Sequence, residues 1–192
     1  ADFFSSGVTH YSCDIIEGDL PDLHDINALV YCPGSINLKP INSLQEGDFV
    51  DDFNINVLGA VKVIRKYLRP LKRNKGSIVL FGTVAVVQGM PFHSSIAVAK
   101  AGVQALSRTL AAELAPSIRV NCIAPSITDT SLAASILRNE KSRENIAERH
   151  PLKSIMNPED IASMASYLIS EKAKNITGQV IGIDGGMSTL KI

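Results

Sequence analysis

The residues of this chain best equipped for chemistry lie between positions 56 and 100. Thr83 follows Gly76-Ser77-Ile78-Val79-Leu80-Phe81, an apolar, β-branched run that reads as a buried strand. At the carboxyl end of a strand, its hydroxyl can hydrogen-bond a substrate oxygen, and its methyl stiffens χ1. The plain alternative is an ordinary strand-end threonine. Lys100 lies near the start of a long apolar segment. On the inward face of a helix an ammonium is costly unless it is paired or wet; on the outward face it is only a surface lysine. Ile96, four residues earlier, falls one helical turn away on the same face and has no proton to give. His93, in the loop entering this helix, belongs to the residue type most used for proton transfer and is the best candidate for a proton donor there, against a surface or capping role. Asn56 interrupts an earlier helical pattern with a residue of poor helix propensity.

Several elements must position these groups. Phe49 to Leu71 reads as a helix, with Phe53, Val57, Val61, Ile64 and Leu68 repeating at three and four; Pro70 and Lys72-Arg73-Asn74-Lys75-Gly76 close it. Ser94 and Ser95 cap a second helix from Ile96 to Ala115. Ala99, Val103, Leu106, Leu110 and Leu114 make its apolar stripe; Ala97, Ala101, Gly102 and Ala105 make a face of small residues suited to close helix–helix approach. Upstream, Val8 to Ile15 is a short β-like run carrying Asp14 at its end, Asp19 to Asp25 has room for one helical turn, and Ile26 to Val30 reads as a buried parallel strand ending in a Pro33-Gly34 turn. Downstream, Arg119 to Pro125 precedes a polar segment, Leu132 to His150. Its Arg138, Arg143 and Arg149 either bind an anionic substrate or form a solvated face. Pro158-Glu159-Asp160 starts a helix ending near Ser170, and Ile176 to Gly186 holds a last strand.

With 192 residues, the chain has the length of one domain, and 45% apolar residues supply a core. The formal net charge is zero, with no basic stripe, so neither nucleic acid nor a charged membrane surface is an expected partner. No apolar run approaches the roughly 20 residues of a membrane span. Cys13, Cys32 and Cys122 lack metal-ligand spacing and read as reduced thiols, so the chain is expected in the cytoplasm with no bound metal.

The strand, loop and helix around Thr83 and Lys100, the run Arg119-Val120-Asn121-Cys122-Ile123-Ala124-Pro125, and the closing Asp184-Gly185-Gly186 together resemble the short-chain dehydrogenase/reductase family. The resemblance implies a Rossmann-type α/β fold, a doubly wound parallel sheet with helices on both faces, as a single domain. It begins near the family's third strand, so the first βαβ unit and its glycine-rich loop are expected to be missing from an N-terminally incomplete domain. In the 3-2-1-4-5-6 order this would leave the Ile26–Val30 strand a bare apolar edge, unless the Val8–Ile15 run pairs with it directly.

The resemblance also assigns roles. Thr83 stands at the family's serine, Lys100 at its lysine and Ile96 at its tyrosine; Asn56 stands at the asparagine whose carbonyl kinks the helix and holds a water beside the lysine. NAD or NADP is the implied cofactor. Asp14 would contact the adenine, and Gly34 and Lys100 the ribose; Pro125, Ser126 and Ile127 would hold the carboxamide, and Thr130 the diphosphate. Ser126 replaces the family's glycine, and Tyr31-Cys32 replaces its asparagine pair. The Lys100 ammonium is expected to enter the crevice beside the Thr83 hydroxyl. The implied activity is hydride transfer to or from a small carbonyl, alcohol or activated double bond, with His93 the substitute acid in the carbonyl case. A dinucleotide-binding or structural protein without turnover is the alternative. The paired helices imply a homodimer or homotetramer, and the Leu132–His150 segment a mobile lid.

Overall fold

The computed structural model describes residues 7–191. Four strands, β1 (Ala28–Tyr31), β2 (Ser77–Phe81), β3 (Arg119–Pro125) and β4 (Val180–Ile183), form one sheet in the order β1-β2-β3-β4. All neighbours are parallel, with Tyr31 opposite Leu80, Phe81 opposite Ile123 and Pro125 opposite Ile183. That register brings the loops after β1, β2 and β3 to one edge of the sheet. β2 and β3 are buried almost throughout, as inner parallel strands covered on both faces must be.

Helix α1 (Glu46–Phe53) runs through a π-helical stretch, Asn54–Leu58, into α2 (Gly59–Arg73). With α3 (Ser94–Leu114) this layer covers one face, where Leu29, Tyr31, Ile78, Leu80, Val120 and Cys122 meet Val63, Ile64 and Val103. The intervening strand residues Val79 and Ile123 point to the other face and pack against Ile161, Ala165 and Leu168 of α5 (Pro158–Ile169). The strand order advances in one direction throughout, yet α5 lies on the opposite face from α2 and α3. The β3–β4 crossover therefore has the opposite hand to the other two. A short α4 (Glu140–Ala147) lies between β3 and α5.

Several boundaries differ from the sequence reading. The Val8–Ile15 run forms no strand; Val8 and Tyr11 are exposed, and the segment ends in a turn where Gly18 N–H reaches the Asp14 carbonyl. An extended run becomes a strand only with a ladder partner, and among the described residues β1 pairs with β2 alone. Direct pairing of the run with β1 does not occur, and β1 is an edge strand with Val30 37% exposed. Asp19 to Asp25 forms no helical turn. Pro70 does not stop α2: it sits in the last turn, and the fully buried Leu71 carries the helix on to Arg73. Helix α3 begins at Ser94, two residues earlier than expected, with His93 at its N-cap and no side-chain cap hydrogen bond. Ser95 is thus inside the first turn and does not cap; it is buried.

Candidate active-site crevice

Asn56 sits in the π-helical stretch, where Gly59 N–H bonds the Asn54 carbonyl five residues back. The widened turn leaves the Ile55 carbonyl to the Tyr31 hydroxyl, which donates to it at 2.6 Å. Gly59 permits this, because a Cβ there would lie 2.2 Å from the Tyr31 oxygen. Tyr31, a departure from the family pattern, thereby ties β1 to the helix layer. Burial pushes its phenol up to about 12, so it stays a hydrogen-bond donor and does not titrate near neutral pH.

Around Asn56 lies a polar network that the sequence did not announce. The Asn56 side-chain amide donates to the Asp52 carbonyl at 2.8 Å and to Ser35 Oγ at 3.1 Å. Asp52, fully buried, accepts at Oδ1 from Ser35 Oγ at 2.5 Å and from Asn37 Nδ2 at 3.0 Å. The network holds the loop after β1 against the helix layer. Asp52 Oδ2 and Asn56 Oδ1 remain buried without a partner among the described residues. Asp52 looks in sequence like one more acid on an exposed turn, and only its burial marks it out.

Lys100 projects inward from α3. Its Nζ donates to the Phe81 carbonyl at 2.9 Å, at the end of β2 and two residues before Thr83. One helical turn on, Gln104 Nε2 donates to the Thr83 carbonyl at 3.0 Å. Helix α3 thus grips the end of β2 at two points and holds the ammonium at the sheet's carboxyl edge. Burial lowers the Lys100 pKa from its ordinary value of 10.5 to about 8, partly opposed by the charges of Cys122, Asp52 and Cys32. The Thr83 hydroxyl accepts from Ala85 N–H at 3.3 Å and starts a single 3-10 turn. Ile96 is 4% exposed, so its position is filled by an apolar group with no ionisable function.

Gly34 forms the opposite wall. A Cβ built there would lie 3.1 Å from Asn56 Oδ1 and 3.4 Å from Lys100 Nζ. The bare Cα therefore faces the Lys100 ammonium, which fits a ribose diol, whose hydroxyls accept from it. Gly34, Asn56, Lys100 and Thr83 are thus gathered at one edge.

The other expected site residues are placed differently. His93 is half-buried at the start of α3, and its Nδ1 faces the Pro91 carbonyl at 2.7 Å. A carbonyl only accepts, so Nδ1 carries the proton and Nε2 alone is left for any transfer. Asp14 is exposed, with its carboxylate accepting from Ile16 and Glu17 N–H at 2.7 and 2.8 Å; these bonds hold its pKa down. Pro125 closes β3. Beyond it, Ser126 N–H bonds the Ile183 carbonyl and the Ile127 carbonyl accepts from Met156 N–H, so both groups already serve the fold. Thr130 is exposed and starts another 3-10 turn.

Ser126 has a partner that the sequence did not suggest. Its Oγ lies 2.6 Å from Nε2 of His150, a fully buried ring whose Nδ1 faces the Ile146 carbonyl at 2.9 Å. Nδ1 must therefore donate to that carbonyl, and in the neutral ring Nε2 accepts from the serine. Arg143 of α4 grips Asp129 with two nitrogens at 2.8 Å. The segment carrying α4 is thus fastened to the loop after β3 at both ends.

Comparison with known proteins bears on the family and the fold. A family profile described as enoyl-(acyl carrier protein) reductase matches residues 19–188. The peroxisomal 2,4-dienoyl-CoA reductase of Saccharomyces cerevisiae is 36% identical over 154 residues, covering 73% of this chain and 53% of that protein. The chain thus matches about half the length of that relative. A 3-oxoacyl-[acyl-carrier-protein] reductase of Thermotoga maritima is 33% identical over 176 residues, covering 91% of this chain and 71% of the relative. Among solved structures, the ligand-free aldohexose dehydrogenase of Thermoplasma acidophilum superposes with a TM-score of 0.82 at 26% identity, over 87% of this chain and 69% of that one. ElxO with bound NADP gives 0.79 at 28% identity, over 85% and 68%. The fold, the match across residues 19–188 and these relatives establish that the chain belongs to the short-chain dehydrogenase/reductase family of NAD(P)-dependent oxidoreductases.

Proposed function

We propose that this protein uses NADH or NADPH to reduce a double bond activated by a neighbouring carbonyl. The observation that carries the reading is Lys100 beside Gly34 with Ile96 buried one turn before it. Ribose-holding groups are present, and the family's proton-donating position is apolar. Fixed general-acid catalysis typically contributes about 10²–10⁴-fold, so its loss weighs most on reduction of a simple carbonyl, where an alkoxide must be protonated. A conjugated double bond accepts hydride at its far carbon to give an enolate, whose charge is delocalised onto the activating oxygen; the enolate then takes its proton from water, so the step depends less on a fixed acid. The relative named as a dienoyl-CoA reductase and the enoyl-reductase profile favour the same class.

The bound nicotinamide supplies the hydride. In this chain, Lys100 would hold the ribose hydroxyls with an ammonium anchored on the Phe81 carbonyl, and Asn56, hydrogen-bonded to Ser35 and the Asp52 carbonyl, would keep the loop carrying Gly34 in place. The Thr83 hydroxyl donates to the activating carbonyl oxygen as it gains charge. Ile96 excludes water from the helix side of the crevice. Gly34 leaves the opposite wall low enough for the ribose to approach.

A second reading is reduction of a small ketone or oxidation of an alcohol, favoured by the relatives named as 3-oxoacyl reductases, with His93 Nε2 as the acid. Oxidation of reduced nucleotide by a conjugated enone and by the matching saturated ketone separates the two. Faster consumption with the enone, unaffected by His93→Ala, supports the first. Faster consumption with the ketone, lost in His93→Ala, supports the second. Nucleotide binding without consumption would leave a binding protein.

Self-association belongs to the same proposal. Val50, Phe53 and Leu58 on the α1 side and Val98 on α3 are all at least 40% exposed, leaving an apolar face on the packed helix pair. A homodimer or homotetramer through this face is expected, and a mass by light scattering that matches one chain would refute it.

A further inference from the structure

The segment after β3 offers three arginines for an anion, and their surroundings differ. Arg143 is spent on Asp129, and Arg138 is simply exposed. Arg149 lines an open cavity of about 480 Å³ with Val87, Gln88, Met187, Leu190 and Lys191. Two cations border the space and no acidic residue does. Neither cation makes an ion pair among the described residues. The walls between them are mixed: Val87, Met187 and Leu190 supply apolar surface, with Val87 71% and Leu190 60% exposed, and Gln88, Ser188 and Thr189 supply polar surface.

The position of this cavity follows from the chain. Val87 and Gln88 come directly after the 3-10 turn started by Thr83. Met187, on the other side, lies with its sulfur 3.5 Å from Ser126 Oγ at the end of β3. The space therefore lies between the loop after β2, the segment after α4 and the segment after β4, on the Thr83 side of β2. Arg149 is also held firmly at its root. Its neighbour His150 is fully buried and hydrogen-bonded at both ring nitrogens, and Pro151 lines the same cavity. An exposed guanidinium on an anchored backbone loses less freedom on binding than one on a loose loop.

We propose that this cavity receives the anionic end of the substrate, and that Arg149 selects for an amphiphile with an apolar chain and a phosphate or carboxylate group. Val87, Met187 and Leu190 cover the chain; Arg149, supported by Lys191, takes the charge. This deepens the proposed reduction by naming its substrate class, and it rests on that reading for the identity of the neighbouring crevice. A second cavity, of about 360 Å³ beside α2, is a poorer anion site: Lys66 is already paired with Asp22, and Lys62 donates to the Ile16 and Gly18 carbonyls.

Calorimetric titration with three probes tests the proposal without requiring turnover. They are octanoyl-coenzyme A, octanoate and the uncharged octanoyl-pantetheine. At least one of the two anions is expected to bind about five- to tenfold more tightly than the uncharged thioester, as one solvated charge contact allows, and to weaken with added salt. Tighter binding of the coenzyme A ester identifies phosphate as the partner; tighter binding of octanoate identifies carboxylate. Arg149→Gln should remove the preference and Arg149→Lys should restore most of it. Arg149 is exposed, so these variants are expected to fold. Equal binding of all three probes, binding of none, or anion affinities within twofold of wild type in Arg149→Gln would each overturn the proposal. A parallel NADPH titration separates the two readings. Nucleotide binding without anion preference sinks this inference alone, whereas anion preference without nucleotide binding sinks the proposed reduction alone.

Discussion

Replacing Lys100 by methionine should make the protein more stable and stop it working. Its ammonium is buried at the end of β2 with one hydrogen bond, to the Phe81 carbonyl. Burial lowers its pKa from 10.5 to about 8. At about 1.4 kcal/mol per power of ten in proton affinity, keeping it charged in the folded state costs at most about 3–4 kcal/mol. Part of that is screened because the side chain is not wholly enclosed, and removing it leaves the Phe81 carbonyl short of a donor, at about 1 kcal/mol. Lys100→Met should therefore gain about 1–2 kcal/mol at pH 7. For a chain of this length each kcal/mol moves the melting temperature by roughly 2–4 °C.

The sign with pH follows from the lowered value. The penalty is fully present below about pH 8, where the lysine is charged in both states, and disappears as pH rises toward 10.5, where both states are neutral. Urea unfolding of both proteins at intervals from pH 7 to pH 10 should show the variant's advantage shrinking above pH 8. A variant less stable than wild type at pH 7, or an advantage unchanged up to pH 10, would refute the reasoning.

Three other substitutions probe the surroundings. Ile96→Tyr restores a phenol one turn before Lys100; overpacking at a 4% exposed position should cost about 1–3 kcal/mol, while reduction of the saturated ketone should rise by about 10² or more in a steady-state assay. His150→Ala removes a fully buried ring bonded at both nitrogens, and should lower stability by about 2–4 kcal/mol in urea titrations. Gly34→Ala places a methyl 3.1 Å from Asn56 Oδ1; nucleotide affinity should fall about tenfold by fluorescence titration, with little change in melting temperature.

What the sequence made legible is what local pattern determines. The family resemblance put Lys100 in the crevice, and the stripe Val103 and Leu110 shows how α3 lies on the sheet to bring it there. The π-helical widening at Asn56 was foreshadowed by a poor helix former followed by Gly59. What escaped the sequence depends on contacts between distant segments. Asp52 becomes a buried acceptor only because the loop carrying Ser35 and Asn37 folds over it. His150 acquires its role from Ser126, 24 positions away. The Tyr31 phenol ties β1 to the helix layer, and its partner is a carbonyl freed by the π-helix. The Val8–Ile15 run failed as a strand for the same reason, since alternation along one segment cannot say whether a neighbour will be there to pair with it.

The central claim is that the edge where Lys100, Gly34 and Asn56 meet holds a nicotinamide dinucleotide. The most direct measurement is a titration of NADPH and NADH into wild type and Lys100→Met, with circular dichroism to show that both are folded. The account expects saturable binding of one nucleotide by wild type and its loss, by tenfold or more, in a variant at least as stable. Binding of neither nucleotide to folded wild type, or equal binding to both proteins, would contradict it.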